Sequence, residues 1–379
     1  MRKQYALETD RPDFYRIAKE QLGLHSTDYW TPYLSVWARI GNYDAEAVFR
    51  SLNNGDRLVR LNAFRATVHV VHVDNLSLLI RATGPFLYNR TRQHPDIRNL
   101  SEQDIQSLTD SVLGVLEDGP KTMREIKKLL PNYARKIRPL FMLAATSGKV
   151  IRASASHARN PTTAYALIEK WIRGYAHQDI SEEAAIREVI RLYVTRFGPV
   201  SLDDMAWWLP MTKTQARETL ESLSDDIVEV ETVGEKMFMA PNDFEIAKSL
   251  ETPSEPVVWL LPYEDYLAKA FINRTWYLSK DTQPKLLPQQ REHCWPPDLS
   301  IPTTTATKAT NTSGEIRPSI WIDGEIVGRW ELEETERISN VVYKLYKKVR
   351  PKYGNMITER IEQLEDFVNA RLVPISRPQ

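Results

Sequence analysis

The stretch "RLVRLNAFRATVHVV", residues 57–71, directly follows three segments whose apolar residues have helical spacing. Within the stretch, apolar residues alternate with polar ones and β-branched side chains are frequent, which predicts strand structure. The preceding helices are predicted over residues 11–22, 29–40 and 43–53, and the last of them ends at the turn "NNGD". Asp74 is then predicted to cap a further helix. Three helices followed by strands is the order of a winged-helix unit.

The same order recurs twice further along the chain. A helix opened by Ser101 is followed by two more helices, and then by a pair of strands joined by a polar loop within residues 149–168. Another helix runs from a predicted capping box at Ser181 to a stop at Gly198, and two helices and a hairpin turning at residues 233–234 follow it. This repetition predicts tandem winged-helix units.

The last segment has a different character, because proline becomes frequent and short strands replace the helices. A hairpin is predicted to turn at Asp323–Gly324, residues 300–314 are predicted to be a flexible loop, and an amphipathic helix closes the chain. We therefore predict an α+β fold in which tandem winged-helix units form a concave C-shape next to a β-rich, barrel-like C-terminal domain. The predicted boundaries are residues 1–95, 96–178 and 179–250 for the three units and 251–379 for the C-terminal domain.

Composition excludes several classes of protein. No apolar run approaches the ~20 residues that a membrane span needs, and the N-terminus carries charges where a signal peptide needs apolar residues. We therefore expect a cytoplasmic protein that does not bind membranes. The one cysteine, Cys294, cannot form an internal disulfide or a cysteine-based zinc site. The chain lacks a glycine-rich phosphate loop, a serine nucleophile elbow, a dinucleotide fingerprint and clustered ligand spacing, so we predict no metal and no cofactor.

Charge is unevenly distributed, although the net charge is zero. Residues 51–200 carry a net charge of +8, and residues 201–300 carry a net charge of −9. Such segregation indicates an anionic partner for one part of the molecule, or simply two solvated faces of opposite sign.

Five blocks of sequence resemble the winged-helix DNA-binding family that includes the AlkZ and YcaQ crosslink-repair DNA glycosylases. Family members typically have Leu-Gln-x-Gln-Asp and a Leu-Trp-Ala-Arg helix in the first block, and Arg-Gly-Thr-x-His-x-Val in the second. The blocks of this chain are "LGLHSTDYWTPYLSVWARI" (22–40), "FRATVHVV" (64–71), "FGPVSLDDMAWWL" (197–209), "LLPYEDYLAKAFINRT" (260–275) and "RPSIWIDGEIVGRW" (317–330). Their order and spacing together carry the resemblance.

The resemblance implies a concave surface that cradles double-stranded DNA, with a Gln-x-Gln pair that cleaves the N-glycosidic bond of a damaged purine. Here His25 and Thr27 occupy the positions of the pair, with Asp28 next to them, so the resemblance implies these three as the catalytic residues. The second block supplies Arg65, Thr67 and His69 to the cleft lining and DNA contact. This predicts a monofunctional DNA glycosylase acting on alkylated or crosslinked purines. Because both glutamines are absent, a non-catalytic DNA-binding protein is the alternative, and a transcription regulator is a weaker third hypothesis.

Structural roles compete with catalysis at the same residues. Thr27 or Asp28 would be a good N-cap for a helix starting at Tyr29, and His25 could be a polar surface residue after the break at Gly23. His69 could equally be a strand histidine with its hydrogen bonds satisfied.

Basic residues in the middle of the chain are the remaining candidates for contact with DNA. Each taken singly fits a solvated surface residue, and only their clustering favours binding to phosphates, which gives affinity without choice of sequence. They are Arg90, Arg92, Lys127, Lys128, Arg135, Arg138, Arg152, His157 and Arg159. The expected partner is double-stranded DNA, bound by a monomer. Of the adjacent Trp207 and Trp208, we expect one in the core and the other at a seam between domains.

Overall fold

The computed structural model describes residues 12–158, 162–232, 234–250, 256–275, 277–278, 316–334 and 339–376. Helices and antiparallel sheets alternate along these residues, which confirms the α+β class. The predicted loop at residues 300–314, Cys294 and Arg159 lie outside the described residues.

The first repeat contains three helices and three strands. Helix α1 begins at the N-cap Asp13, whose carboxylate accepts a hydrogen bond from the Arg16 amide, and α3 ends at Gly55 in the left-handed conformation. The elements are α1 (Phe14–Glu20), β1 (Leu24–His25), α2 (Thr31–Ile40), α3 (Ala45–Asn54), β2 (Leu58–Ala63) and β3 (Thr67–His72). Strand β3 lies between β1 and β2 and pairs antiparallel with both.

The second repeat has the same order. It is connected to the first by α4 (Leu76–Arg92), and capping boxes at Ser101 and Thr122 start two of its helices. Its elements are α5 (Glu102–Gly114), β4 (Lys121–Thr122), α6 (Met123–Leu129), α7 (Ile137–Thr146), β5 (Val150–Ala155) and β6 (Thr163–Leu167). Helix α4 packs closely on α7, because Gly84 has no side chain to collide with the Thr146 carbonyl.

The strands of the two repeats form one six-stranded sheet. Its order is β1-β3-β2-β5-β6-β4, so the two halves meet through β2 and β5 and mirror each other in strand order. The halves join at a single register pair, Arg60 opposite Arg152. The sequence pattern did not predict this shared sheet, because joining two hairpins edge to edge leaves no signal in either hairpin. The second repeat nevertheless has its own apolar core, centred on Ile126, Leu140 and Phe141.

The third repeat forms a smaller sheet. The helix predicted from Ser181 is confirmed, although the capping box is not: the Ser181 hydroxyl accepts from the Ala184 amide without a reciprocal bond. A bridge between Val200 and Phe238 takes the place of the short first strand. The elements are α8 (Ile168–Trp171), which precedes the repeat, α9 (Glu182–Phe197), α10 (Leu202–Trp208), α11 (Lys213–Glu221), β7 (Val228–Thr232), β8 (Glu235–Met239) and α12 (Pro241–Lys248).

The C-terminal segment is an open sheet with a long helix. In the described residues its strands have the order β12-β11-β10-β9 and do not close, so the expected barrel is not formed there. The elements are β9 (Val258–Leu261), α13 (Tyr266–Lys269), β10 (Ser319–Ile322), β11 (Glu325–Glu334), β12 (Ser339–Leu345) and α14 (Pro351–Phe367). The hairpin at Asp323–Gly324 is confirmed.

A large apolar core joins the first repeat, the third repeat and the C-terminal segment. Trp37 of α2 stacks on Phe367 of α14, with 6.2 Å between ring centroids, so the two ends of the chain share this core. Within the described ranges, no helix combines the length and the apolar character required to cross a membrane.

Candidate functional site

The junction between α1 and α2 is shaped by two residues with left-handed backbone conformations. Leu22 has φ 57°, and Gly23 has φ 113°; a Cβ at position 23 would lie 3.2 Å from both the Val70 carbonyl and the Val71 side chain, so a larger residue there would be strained. The chain then enters β1, where Leu24 pairs with Val70 and His25 pairs with His69. His25 is therefore a strand residue rather than a polar surface residue.

The predicted helix cap at this junction is wrong. Helix α2 begins at Thr31, later than expected, and its N-cap residue Trp30 makes no capping bond with its side chain. The carboxylate of Asp28 instead accepts a hydrogen bond from the Trp30 amide at 2.7 Å, which stabilises the turn before the helix. Thr27 caps nothing, because its hydroxyl is buried without a hydrogen-bond partner.

Three neighbouring side chains at the junction each carry a buried polar atom without a hydrogen-bond partner. His25 is 5% exposed and Ser26 is 1% exposed. His25 Nδ1, Ser26 Oγ and Thr27 Oγ1 have no hydrogen-bond partner. Each such atom costs about 1–3 kcal/mol relative to a satisfied one. Three such atoms in consecutive residues make this junction the candidate site for a ligand.

His25 and His69 lie on the same face of the sheet, with edge-to-face rings 5.7 Å apart. His69 Nδ1 is 3.1 Å from the Thr67 carbonyl, which can only accept a hydrogen bond, so Nδ1 carries the proton and Nε2 is the free acceptor in the neutral ring. Thr67, predicted to contact DNA, therefore orients His69 through its backbone. His72 is separate from this pair and accepts from the Asp74 amide. In the described part of the chain, no three His, Cys, Asp or Glu residues are grouped as metal ligands would be.

Both histidines are neutral near pH 7. Burial, reinforced by the positive charge of Lys269, lowers the pKa of His25 to about 3. Burial and the neighbouring His25 hold the pKa of His69 well below its usual range. A neutral imidazole can hydrogen bond and orient a reactant, but a base with a pKa near 3 removes protons poorly at neutral pH.

The C-terminal segment supplies a wall of the site that the sequence did not predict. The Tyr263 ring lies 5.9 Å from His25, and the ammonium group of Lys269 forms an ion pair with the buried carboxylate of Glu264. Glu264 has φ 56° and also accepts from the Ile316 amide at 2.6 Å. The block "LLPYEDYLAKAFINRT" contained a usable signal, because it places two carboxylates between tyrosines immediately after a buried strand.

The same loop is fixed to α2 by a buried ion pair. Both guanidinium ends of Arg39 donate to Asp265, at 2.8 and 2.9 Å, and both side chains are 1% exposed. Arg39 also donates to the Ser35 carbonyl, and Asp265 accepts from the Leu267 amide. This pair connects residues that are 226 positions apart in the sequence and so determines where Tyr263 and Glu264 lie.

Arg65 lines a cleft together with residues of α4, α10 and α11. Its guanidinium donates to the Trp207 carbonyl at 2.9 Å and lies 4.2 Å from the centre of the Trp207 ring. The cleft has a volume of about 340 Å³, and its lining includes Arg65, Arg90, the half-exposed Phe86 and residues of α10 and α11. Burial, followed by the charge of Arg90, lowers the pKa of Arg65, as expected for two neighbouring cations. Trp208, by contrast, is in the core beside Phe64, as predicted for one member of the tryptophan pair.

The other predicted contact residues differ in their surroundings. Lys127 and Lys128 on α6 and Arg135 before α7 are exposed, and Arg138 and His157 are partly buried. Arg92 forms hydrogen bonds within the chain, donating to Glu102 and to the carbonyls of Ile97 and Leu100. Arg152 lies on β5 beside Asn62.

Two sequence comparisons with known proteins both match DNA glycosylases. The family model of DNA glycosylase AlkZ-like proteins matches residues 19–363. An interstrand DNA cross-link repair glycosylase of Streptomyces sahachiroi is 21% identical over 355 residues, covering 89% of this chain and 87% of that protein.

A solved structure agrees with the sequence comparison. The Streptomyces sahachiroi DNA glycosylase AlkZ has the same fold, with a TM-score of 0.74 at 17% identity, over 100% of this chain and 95% of that chain. The family match spans the junction, the Arg65 turn and the Tyr263–Lys269 loop, and the chain therefore belongs to the AlkZ-like DNA glycosylase family.

Proposed function

We propose that this protein is a monofunctional DNA glycosylase that hydrolyses the N-glycosidic bond of alkylated or crosslinked purines in double-stranded DNA, acting as a cytoplasmic monomer. The observation that carries the proposal is the unsatisfied trio His25, Ser26 and Thr27, buried where the family keeps its catalytic pair. Family membership supplies the reaction class.

The proposed binding mode is three winged-helix units that hold the DNA backbone in a concave surface. In each repeat, a short strand or bridge pairs with the last strand of the hairpin, which supports this assignment. The helix that would read base edges in the second unit is α7, but its Ile137, Leu140 and Phe141 are buried and it packs against α4. This favours contacts to the DNA backbone over the sequence readout of a transcription regulator.

The chemistry of the lesion fits the electrostatics of the site. A purine alkylated at N7 carries a positive charge, so it leaves the sugar as a neutral base when the bond from C1′ breaks and its electron pair moves to the base. That departure needs no general acid, and the neutral His25 could not act as one. Water then attacks C1′ of the oxocarbenium-like sugar and loses a proton.

We assign roles to the three junction residues on this basis. The exposed carboxylate of Asp28 takes the proton of the attacking water, and the unpaired His25 Nδ1 and Thr27 Oγ1 atoms position that water by hydrogen bonds. The ion pair of Glu264 with Lys269 lies in the same wall and stabilises developing charge electrostatically. Arg65, Arg90, Lys127, Lys128, Arg135, Arg138, Arg152 and His157 are the proposed DNA contacts, and Arg92 is left out because its donors are occupied.

The second candidate function is a non-catalytic DNA-binding protein of the same architecture. The replacement of both glutamines and the weak basicity of His25 favour it. It predicts DNA binding with no release of the damaged base.

One assay separates the two functions. Duplex DNA containing N7-methylguanine is incubated with the protein, and abasic sites are detected by alkaline strand cleavage. The glycosylase predicts release that is lost in His25→Ala and Asp28→Asn and kept in His94→Gln, a histidine control at the end of α4 that is paired with Asp96. Binding without release would overturn the enzymatic proposal and favour the second candidate.

A further inference from the structure

The seam between the two halves of the six-stranded sheet brings two arginines face to face. Arg60 of β2 and Arg152 of β5 are direct cross-strand partners. Side chains of such partners lie on the same face with their Cβ atoms roughly 5 Å apart, and like charges there destabilise a sheet. The two repeats thus join at a pair that repels.

Within the described residues, neither arginine has a carboxylate partner. Arg60 is 2% exposed, and its Nε and Nη2 donors have no hydrogen-bond partner. Arg152 makes one long contact, 3.5 Å from Nε to Asn62. In the ranges that the structure describes, no carboxylate pairs with either guanidinium, although burying an unpaired charge is costly.

Aromatic rings flank the pair. The Arg60 guanidinium lies 5.1 Å from the centre of the Tyr29 ring, and the Arg152 guanidinium lies 5.5 Å from that of Tyr165. Tyr165 is itself the cross-strand partner of Lys121, so Arg60, Arg152, Tyr165 and Lys121 form one row across four strands. A basic row with interleaved aromatic rings suits an anionic, nucleic-acid ligand.

Tyr29 links the row to the junction, although strand alternation places Arg60 and His69 on opposite faces of the sheet. Tyr29 follows Thr27 and Asp28 in the chain, and its hydroxyl is hydrogen-bonded to Thr163 of β6 at 2.9 Å. Tyr29 thus connects the junction to the second half of the sheet. The hydroxyl of Tyr33 lies near Arg60, whose charge and hydrogen bond oppose the effect of burial; burial nevertheless raises the pKa of Tyr33 to about 12, so the hydroxyl stays protonated.

We propose that the seam is a phosphate site, in which Arg60 and Arg152 together bind one backbone phosphate of the bound DNA. The paired guanidiniums provide several donors in fixed geometry, which suits a phosphate diester. The bound phosphate relieves the repulsion at the seam and satisfies the buried donors of Arg60. This site rests on the proposed function, because it takes its ligand from the DNA that the glycosylase binds.

The test uses the full-length protein and an undamaged fluorescent duplex, with affinity measured by anisotropy across a range of salt concentrations. Arg152→Gln and Arg60→Met should each weaken binding about 5–10-fold and each reduce the slope of log affinity against log salt by about 0.9. Arg50→Gln is the matched control, because Arg50 is exposed, paired with Glu46 and away from the row; it should change neither quantity.

A second measurement distinguishes a ligand site from a structural arginine. Arg60→Met removes an unpaired buried charge while keeping a long side chain, so the urea midpoint of the DNA-free variant should rise as DNA affinity falls. Slopes unchanged in both variants, or a lower midpoint with unchanged DNA affinity, would overturn the site. Protection from heat by inorganic phosphate, with duplex slopes unchanged, would also overturn it, because the ligand would then be a small anion.

The base-release assay tests the glycosylase activity independently of the phosphate site. Base release by the wild-type protein with unchanged salt slopes would remove the phosphate site and leave the glycosylase standing. Reduced slopes without base release would support the phosphate site and overturn the glycosylase.

Discussion

Two buried polar sites contact the loop after β9 at positions only a few residues apart. They differ in whether their polar atoms have hydrogen-bond partners. Asp265 and Arg39 satisfy each other through two hydrogen bonds and have further partners in Leu267 and Ser35. His25, beside Tyr263 of the same loop, leaves its Nδ1 unpaired. The complete pairing of Arg39 and Asp265 fits a structural role, whereas the unpaired His25 fits the role in DNA chemistry that we propose for it.

The largest change in stability is expected from breaking the ion pair between Arg39 and Asp265. Asp265→Ala would leave Arg39 buried without its partner and should lower the free energy of unfolding by about 3–5 kcal/mol. Urea denaturation followed by tryptophan fluorescence measures this change. The double variant Arg39→Met with Asp265→Leu should lose far less, and an equal loss would show that packing rather than charge is responsible.

A substitution at His25 should have the opposite outcome, with little change in stability and a large loss of activity. His25→Leu removes an unsatisfied polar group, so the free energy of unfolding should stay within about 1 kcal/mol of the wild type. Base release should fall by about 100-fold, which is at the lower end of the effect of a positioned catalytic group. A marked loss of stability with full activity would reverse our assignment of the two sites.

The pH dependence of stability should also distinguish His25 from the pair of Arg39 and Asp265. The unfolded chain takes up a proton on each histidine below about pH 6.5, whereas folded His25 does so only near its pKa of about 3. Stability should therefore fall with decreasing pH throughout this window, by up to about 1.4 kcal/mol per pH unit for this one group. His25→Leu should make the dependence shallower by one proton, as measured from urea midpoints at a series of pH values.

Asp265 acts in a lower part of the pH range and serves as the internal comparison. Burial raises the pKa of its carboxyl group, but the charge and hydrogen bonds of Arg39 outweigh burial and bring the pKa below the ordinary value. Its stabilisation is present at neutral pH and is lost only as the pH falls through that lowered pKa. A change in slope beginning near pH 6.5 therefore reports the histidines and not this pair.

The smallest change is expected from a substitution in the turn between β2 and β3. Ala66 has φ 69°, a left-handed conformation that favours glycine, and the family pattern has glycine at this position. Ala66→Gly should raise the free energy of unfolding by about 0.5–1 kcal/mol. Base release should be unchanged, because Arg65 can keep its contact with Trp207. A reduced rate of release would show that the strained turn positions Arg65 for function.

Local signals in the sequence predicted the elements well. The helices begin at Ser101, Thr122 and Ser181 because these hydroxyls satisfy free amides of the first turn, and this effect depends only on neighbouring residues. Hairpin turns at Gly234 and Gly324 follow from backbone conformations that glycine adopts easily. The helix start at Tyr29 was not predicted correctly, and the described residues do not show the expected barrel, because each depends on what other parts of the chain place nearby.

The sequence by itself determined the order of helices and strands, the threefold repetition, the family and the position of the junction at His25, since periodicity, caps and motif spacing are local properties. Only the tertiary structure decided that His25 faces His69, that Tyr263 and Lys269 close the site, and that Arg60 meets Arg152 at a shared seam. These partners come from segments far apart in the chain. Which segments meet depends on the burial of apolar faces and on strand pairing, and neither residue of such a pair carries a local signal of the other.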